Sequence, residues 1–425
     1  MRTVSNNFRK VINQGGPFYA YAEVTLADDT EFTLNSTDDF YFSGNKYNHS
    51  FSNNFPIGEA ICKTITLKIY NTNDKYSAVD FDGAVIKLYT EVDVTNNTSE
   101  RLLEGIFNVS TAKIVDNILE IVASDNMVKA DILLKARFNN RTLSNALTGV
   151  CSQCGLNIAD TNFRNSALSV YWNGLEPGDA TCREIIGYIA QIAGGNAIIN
   201  PNGELMIKSY DFPSDESVDI ISGRNLTTPL TDYISGGTFG DTTSDIINSG
   251  EFGNTDNDYK ILNRYQTPPK TATKYIRITG VSMVDAANKT HQYGSTEYNI
   301  NVLNKLAGKP RTVDRALPLI GESIVGKAFF PFSGKFPADP TLELMDTVYV
   351  VDTKGTIYKS FLTSIVFNYM GSSELANEAP NSGINSTSYM PSYRNSGYSG
   401  NVIYVKPDNT QGQITVTNGL ITDVT

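Results

Sequence analysis

The chain has 425 residues, which is enough for two to four domains that each bury a core of their own. Its composition, 40% hydrophobic and 19% charged, is that of a globular protein and excludes a wholly disordered chain or a coiled-coil rod. The formal net charge of −11 argues against a sequence-specific DNA-binding protein, because neutralising phosphates requires clustered Lys and Arg.

Cysteine usage and hydropathy point to a protein that is made in a reducing cytoplasm and has no Sec export signal. Four Cys are too few for a disulfide framework, so packing must stabilise the fold. Residues 1–16 are predicted to be an N-terminal arm, without the apolar core of an export signal. The longest apolar run, 185–193, is far below the roughly 20 residues that span a bilayer. We therefore expect a soluble protein with no stable membrane insertion.

Residues 17–135 are predicted to form a first β domain. In 61–70, apolar Ile65, Leu67 and Ile69 alternate with polar residues, which indicates a strand with one buried face and one wet face. Other β-prone runs, separated by turn residues, occur at 19–35, 85–94, 103–111 and 118–123. About six short antiparallel strands in this length favour a small barrel or sandwich.

Residues 136–210 are predicted to form a small α/β domain. Apolar residues with helical spacing indicate a helix over 141–155, with Thr142 as N-cap and Gly155 as its end. A second helix begins at Thr181, where Glu184 completes a capping-box spacing, and ends at Gly194-Gly195. A hairpin over 196–210 follows and should cover the apolar face of that helix.

Residues 211–370 are predicted to form a second β-barrel domain with loop-rich insertions. The stretch 211–269 is rich in Ser, Thr, Gly, Asn and Asp, whereas 275–281 and 298–302 are β-prone. A helix is indicated at 311–325 in spite of Pro318. A strand at 347–351 and a long alternating strand at 356–369 close the domain.

The remaining residues, 371–425, have a different composition. Residues 371–400 are rich in Ser, Asn, Gly and Pro, which indicates an extended linker. Residues 401–425 alternate weakly between apolar and polar side chains. We expect this stretch to add a strand to a partner, because it has too few apolar residues to fold alone.

Few motifs suggest chemistry. Cys151-Ser152-Gln153-Cys154 has a metal-binding spacing, yet zinc needs four ligands and only Cys182 is available as a third. Both Cys fall on the apolar face of the predicted helix, so we interpret them as small core residues. His49 and His291 lie in polar, loop-like stretches of sequence and are predicted to be surface residues.

Acidic pairs and glycines are also explained without catalysis. Asp28-Asp29, Asp38-Asp39 and the pair Glu100 and Glu104 are predicted to form turns or solvated faces. Gly194-Gly195 follows a helix, where a phosphate-binding loop would precede one. The sequence therefore predicts no catalytic, cofactor-binding or metal-binding residue, no cofactor and no enzyme activity.

Four blocks, taken together and in this order, carry a family resemblance: ITLKIYNTNDKYSAVDFDGAVIKLY at 65–89, EGIFNVSTAKIVDNILEIVASDNMVKAD at 104–131, CREIIGYIAQIAGGNAIINPNGELMIKSY at 182–210 and PADPTLELMDTVYVVDTKG at 337–355. They resemble the tail-tip or baseplate hub proteins of tailed bacteriophages that infect Gram-positive bacteria. The resemblance implies two antiparallel β-barrel domains bridged by an α/β domain, assembled as a homotrimer.

The same resemblance implies a place and a set of partners. The trimer, made in the host bacterial cytoplasm, would close the distal end of the tail tube in the virion, adapting a hexameric distal tail protein and the tail tube protein to a threefold tip. It would also contact the tape measure protein and form part of the conduit for DNA ejection, with DNA only in non-specific transit. Residues 371–425 would tether a tip fibre or receptor-binding protein. Larger relatives continue with a wall-hydrolysing or receptor-binding domain, and because this sequence stops at Thr425 we expect no enzymatic wall penetration by this polypeptide.

Three other interpretations stay open at this point. A surface adhesin or carbohydrate-binding β-protein would also be Tyr-rich and acidic, although it would need an export signal. The same hub could belong to a headless, phage-tail-like bacteriocin. A peptidoglycan hydrolase would need a nucleophile or metal set that the sequence does not offer.

Overall fold

A computed structural model describes most of the chain. The described residues are 2–35, 39–52, 55–95, 98–136, 141–170, 176–210, 259–285, 287–307, 309–377, 400–405, 411–417 and 420–424. Most of the stretch predicted to be loop-rich, 211–258, lies outside them.

The N-terminal part consists of one helix and seven strands. These are α1 Asn6–Gln14, β1 Phe18–Thr25, β2 Glu31–Asn35, β3 Lys46–Ser50, β4 Thr64–Tyr70, β5 Val85–Thr95, β6 Thr98–Val115 and β7 Ile118–Asp125. The central part contains short strands and two helices: β8 Arg141–Thr142, α2 Leu143–Cys154, β9 Ser169–Val170, α3 Cys182–Ile192, β10 Gly195–Ile199 and β11 Leu205–Ser209.

The C-terminal part is again mostly strands. It comprises β12 Tyr259–Leu262, β13 Thr267–Thr271, β14 Ile276–Arg277, β15 Gly280–Val284, β16 Thr290–Gly294, β17 Asn299–Val302, α4 Pro310–Ile324, β18 Ala328–Phe329, β19 Phe332–Pro337, β20 Thr347–Val351, β21 Ile357–Phe361, β22 Ser364–Asn368, β23 Ser372–Asn377, β24 Gly400–Val405, β25 Gln411–Thr417 and β26 Leu420–Val424. Short 3-10 helices lie at Thr72–Asp74, Asn126–Asp131 and Lys305–Ala307. Among the described helices, none has the length and apolar character needed to cross a bilayer.

One antiparallel sheet of 11 strands organises the molecule, in the order β13-β19-β23-β22-β3-β4-β7-β6-β5-β1-β2. Strands from the two ends of the chain meet where β3 pairs with β22, with Tyr47 opposite Phe367. The mainly β fold with a small α/β part is therefore confirmed. Its described strands pair as one sheet and not as two closed barrels. β3 joins β4 to β22, and the outermost described strands, β2 and β13, do not pair with each other.

The helices of the α/β part begin and end where the sequence predicts. Thr142 caps α2 by accepting a hydrogen bond from the backbone N–H of Asn145, and Gly155 follows the helix at φ 70°. Thr181 caps α3 in a complete capping box with Glu184. The hairpin of β10 and β11 then packs on α3, as expected.

Three expectations for the later strands are corrected. The predicted strand at 356–369 is two strands, because β21 pairs with β20 whereas β22 pairs with β3 and β23. The predicted linker at 371–400 begins with β23, whose Ser373 and Leu375 are buried within the large sheet. Residues 378–399 of that linker lie outside the described part. The weak strand predicted at 401–425 is a sheet of three strands, β24 to β26.

A glycine contact fixes the α/β part against the segment before β4. A Cβ atom at Gly187, in α3, would lie 2.5 Å from the carbonyl oxygen of Gly58. Gly58 itself has φ of 81° and equally close neighbours in α3. The close approach therefore depends on both residues lacking side chains.

We expect Gly187→Ala to lower the free energy of unfolding by about 1–3 kcal/mol, because the added methyl group must push two backbone segments apart. Ser152→Ala, on an exposed position of α2, is the control and should change stability by no more than about 0.5 kcal/mol. Urea unfolding followed by circular dichroism measures both. Equal stability of the two variants would contradict the close packing of α3.

Candidate functional site: a buried charge cluster at the sheet junction

The site that distinguishes this fold is a group of buried charges beside the β3–β22 pairing. Glu104, in β6, is 1% exposed. Its carboxylate lies 2.6 Å from Nη2 of Arg2 and 3.4 Å from Nζ of Lys63. It also accepts a 2.7 Å hydrogen bond from the hydroxyl of Thr90 in β5. We call Arg2, Lys63 and Glu104 the junction cluster.

Arg2 joins segments that are far apart in sequence. Its guanidinium donates hydrogen bonds to the carbonyl oxygens of Leu103 and Pro340, as well as to Glu104. Its backbone N–H donates to the carbonyl of Thr341 at 2.8 Å. Burial disfavours the charged guanidinium, yet the adjacent Glu104 carboxylate outweighs this and raises the pKa of Arg2. The arm before α1 is therefore attached to β6 and to the segment before β20.

Lys63 stands over aromatic rings that line the junction. Its ammonium lies 3.8 Å from the ring centre of Tyr47, which is within cation–π range. The Tyr47 ring stacks on Phe367 of β22, with centroids 4.8 Å apart and planes 2° from parallel. Burial lowers the pKa of Lys63, and the Glu104 carboxylate opposes that shift. The cation thus reinforces the contact between β3 and β22.

Two further ion pairs attach other elements to the segment before β20. Lys208, in β11, lies 3.1 Å from the carboxylate of Asp346 and donates to the carbonyl of Leu344. Lys260, in β12, lies 2.7 Å from the buried carboxylate of Asp339. Burial disfavours ionisation of Asp339, but Lys260 and its hydrogen bonds outweigh this and lower its pKa. The α/β part and the three-stranded sheet of β12, β20 and β21 are thereby both attached to this segment.

This arrangement suits mechanical attachment and not reaction chemistry. The carboxylates of Glu104 and Asp339 already have cations and hydrogen-bond donors as partners, so neither is placed to transfer a proton. Among the described residues, no group of three or more His, Cys, Asp or Glu side chains could hold a metal ion. The sequence interpretation missed Glu104 as a buried group, since nothing local distinguishes it from a solvated carboxylate.

The cysteines lie in the core, as predicted. Cys151 and Cys154 lie on the inner face of α2 and are buried, as is Cys182 at the start of α3. Burial raises the pKa of Cys151 and Cys154, and it raises that of Cys182 to about 11. The thiolate is therefore disfavoured at all three positions.

The prediction for His49 is wrong. His49 is not a surface residue but lies in β3 with 8% exposure, because the strand turns it towards the interior of the sheet junction. Among the described residues, its Nε2 has no hydrogen-bond partner. Burial, with smaller contributions from Lys63 and Lys208, lowers the pKa of His49 well below its usual range. It is a neutral imidazole in the folded protein.

His291 lies in a strand, β16, and not in a surface loop. Its Nε2 is 2.9 Å from a carboxylate oxygen of Asp285, and its Nδ1 is 2.9 Å from one of Asp314 in α4. The hydrogen bond from His291 lowers the pKa of Asp285. The three side chains fasten the β15–β16 hairpin to α4, which occupies both ring nitrogens and leaves neither for a metal.

The acidic pairs behave in different ways. Asp28-Asp29 forms the predicted turn, with Asp29 at φ 64°. Asp38 lies outside the described residues, whereas Asp39 is buried and pairs with Lys75 at 2.8 Å. Glu100 accepts a hydrogen bond from the backbone of Ser5, the N-cap of α1. The solvated-face prediction is thus wrong for Glu104 and Asp39, because folding brings distant cations to both.

The glycine pair has the predicted structural role. Gly194-Gly195 follows α3, and Gly194 has φ of 70°. A Cβ atom there would lie 2.0 Å from the hydroxyl oxygen of Ser323, which leaves no room for a ligand.

Comparison with known proteins gives matches among solved structures only. No family model and no curated protein matches the sequence. The fold is similar to a tail protein from Neisseria meningitidis MC58, at 12% identity and a TM-score of 0.45, covering 84% of this chain and 95% of that one. It is also similar to the prophage tail protein gp18 from Listeria monocytogenes EGD-e, at 15% identity and a TM-score of 0.45, covering 85% and 95%.

A third similar structure is a 43 kDa tail protein of prophage MuSo2 from Shewanella oneidensis, at 12% identity and a TM-score of 0.44, covering 84% of this chain and 95% of that one. TM-scores below 0.5 at these identities describe a partial likeness of fold, and they do not establish a shared function.

We expect Glu104→Gln to lower the free energy of unfolding by about 3–5 kcal/mol, because it leaves Arg2 and Lys63 buried without a counter-charge. Glu120→Gln is the matched control. Glu120 pairs with Lys68 and Lys113 on the surface, so its loss should cost no more than about 1 kcal/mol. Chemical unfolding at neutral pH measures both, and similar losses would show that the junction cluster adds no special stability.

The lowered pKa of His49 predicts an acid-sensitive fold. The unfolded chain binds a proton at this residue below about pH 6.5, whereas the folded chain does not, so stability falls as pH decreases through that value. His49→Gln removes the titrating group and should reduce the loss of stability between pH 7.5 and pH 5.5. Urea midpoints at the two pH values test this, and an unchanged loss in the variant would show that His49 is not responsible.

Proposed function

We propose that the chain is a structural protein of a bacteriophage tail, acting as a trimeric tail-tip or baseplate hub. The sequence blocks at 65–89, 104–131, 182–210 and 337–355 support the family. The trimeric assembly is proposed because the two ends of the large sheet have opposite charges. The hub would close the distal end of the tail tube and adapt its sixfold symmetry to a threefold tip.

One end of the sheet is acidic. Residues 11–45, which contain β1 and the outermost strand β2, include six Asp or Glu and neither Lys nor Arg. Asp28, Asp29 and Glu31 are exposed along or beside β2. A neighbouring strand would meet three negative charges at this edge.

The opposite end of the sheet is basic. Residues 259–284, which contain the outermost strand β13, include five Lys or Arg and neither Asp nor Glu. Lys270 is exposed there, and so is Arg264, whose guanidinium donates to the carbonyl oxygen of Asn13 in the same chain. Pro268 and Pro269 remove two N–H donors from β13, which discourages indiscriminate pairing at this edge.

Complementary edges support a head-to-tail ring. An interface between unlike surfaces repeats around an axis and closes when the rotation permits. Each chain contributes one N-terminal and one C-terminal set of strands to the large sheet. Three chains would thus present six strand sets to the hexameric distal tail protein and the tail tube protein.

The charge of the chain suits a conduit. At a formal charge of −11, the wall of such a ring would repel DNA in transit and prevent it from adhering. The ring would also contact the tape measure protein. The location that follows is the distal end of the tail in the virion, or in a headless bacteriocin-like particle.

The C-terminal strands are proposed as the attachment for further tip proteins. β24 to β26 form a small sheet of their own, and 371–425 as a whole would tether a fibre or receptor-binding protein. No enzyme activity is proposed, because each buried carboxylate of the junction already has its cations and donors.

A second candidate is a surface adhesin or carbohydrate-binding β-protein. Exposed Phe42 and Tyr70 flank half-buried Tyr41, whose ring centroid lies 4.3 Å from that of Phe42 and 5.2 Å from that of Tyr70. Phe42 is 65% exposed. Rings with an apolar face and a polar tip suit contacts at wet interfaces. Binding of soluble glycans, abolished by Phe42→Ala with assembly unaffected, would favour this candidate.

The ring is tested by reversing charges. Glu31→Lys with Asp29→Lys, or Lys270→Glu with Arg264→Glu, should each prevent trimer formation at high protein concentration and low salt. Combining all four changes in one chain should restore the trimer, because the edges are complementary again. Lys354→Glu, in the exposed turn between β20 and β21, should have no effect. Light scattering gives the mass, and a stable hexamer, or trimers insensitive to either reversal, would exclude this ring.

A further inference from the structure

A groove runs beside the outer half of β6. It is open to solvent, has a volume of about 360 Å³ and lies between the β6–β7 hairpin and the loop before β5. The hairpin contributes Ala112, Ile114 and Leu119, and the loop contributes Asp80 and Asp82. β5 pairs with β6 only as far as Asn108. Among the described residues, no strand covers β6 beyond that point.

The backbone groups that face this groove follow from the turn. Asp116 and Asn117 both have positive φ, 51° and 60°, which is the two-residue type I′ turn that joins hairpin strands. Val115 and Ile118 flank the turn, so they form a hydrogen-bonded pair, and the pairs then alternate along the ladder. Ala112 and Ile114 therefore belong to non-hydrogen-bonded pairs. Their N–H and C=O groups therefore point away from β7 and into the groove.

The walls of the groove differ in character. Leu119 is 2% exposed and continues the core face of the sheet, whereas Ile114, its partner across the ladder, is 41% exposed. An apolar strip thus extends beyond the part of the core that the protein covers itself. On the opposite side, Asp80 and Asp82 are exposed. The groove accordingly offers unpaired strand backbone, an apolar floor and negative charge.

We propose that this groove binds an extended peptide segment of a partner protein, which adds a strand to β6 at Ala112–Ile114. The partner segment alternates apolar residues with Lys or Arg. Backbone hydrogen bonds to an open edge provide affinity in such complexes, and the alternate side chains provide specificity. The apolar residues would cover Ile114, and the basic residues would approach Asp80 and Asp82. The inference is independent of the proposed trimer, because β2 and β13 are not involved.

The length of the segment is limited by the edge. The open edge of β6 extends from Thr111 to Val115, with the backbone groups of Ala112 and Ile114 pointing away from β7, and a strand rises about 3.4 Å per residue. A segment of about five residues would therefore fill the site. The basic residues of the segment would lie on the face of the hairpin that carries Lys113, where Glu120 offsets the charge of Lys113 at 3.0 Å.

Residue-resolved hydrogen exchange on the full chain tests the proposal. The probe is the synthetic peptide acetyl-Thr-Lys-Val-Lys-Val-Lys-Thr-amide, and the comparison peptide replaces each Lys with Glu. Without peptide, the amides of Ala112 and Ile114 should exchange faster than that of Lys113, which is bonded to β7. Saturating Lys peptide should slow Ala112 and Ile114 selectively, and the Glu peptide should not.

Changes in the protein and in the peptide separate the contribution of charge from that of backbone hydrogen bonds. Asp80→Asn with Asp82→Asn should weaken binding about three- to tenfold, as expected for exposed ion pairs. Asp93→Asn, exposed on β5, should bind as the unchanged chain does. Methylating alternate backbone nitrogens of the peptide should abolish binding although its side chains remain. Unaltered exchange at Ala112 and Ile114 with saturating Lys peptide, or equal binding of the methylated peptide, would overturn the proposal.

Discussion

The carboxylate of Glu104 has no contact with solvent and therefore requires positive charge from within the fold. Arg2 and Lys63 supply it, and they come from the arm before α1 and from the residue before β4. If either cation moved away, the buried Glu104 carboxylate would keep only one counter-charge. The positions of the arm, of β6 and of the segment before β20 are consequently coupled through one carboxylate.

This coupling explains how the two ends of the chain share a sheet. The ladder between β3 and β22 is only five residue pairs long, and such a short ladder resists twisting weakly. Stacking of Tyr47 on Phe367, with Lys63 over the ring, adds packing that requires both strands at once. A buried ion pair is costly to form but costlier to break. The junction therefore favours one relative position of the strand sets, which the proposed hub would need for a regular ring.

Local signals predicted local structure well, and failed where distant residues decide the outcome. The caps of α2 and α3 and the turn at Asp28-Asp29 depend on neighbours within a few residues, so the sequence predicts them. Glu104 and His49 were misplaced because their burial depends on β22 and on the segment before β20. β23 was also misassigned, because its Ser-rich sequence resembles a linker and it forms a strand only by pairing with β19 and β22. The aromatic and acidic content of the chain carried no information about these pairings.

Three exposed strand edges remain in the described part of the large sheet, and each is protected by different means. Prolines interrupt β13, charge repels like strands from β2, and Lys113 interrupts an otherwise apolar run in β6. Charge and proline are selective protections, since they exclude a copy of the same edge while admitting an edge of opposite charge or a strand with suitable side chains. A strand edge that only had to be protected from pairing could instead be covered by a helix or a loop. The open edges of this chain are therefore better understood as selective contact surfaces than as unfinished parts of the sheet.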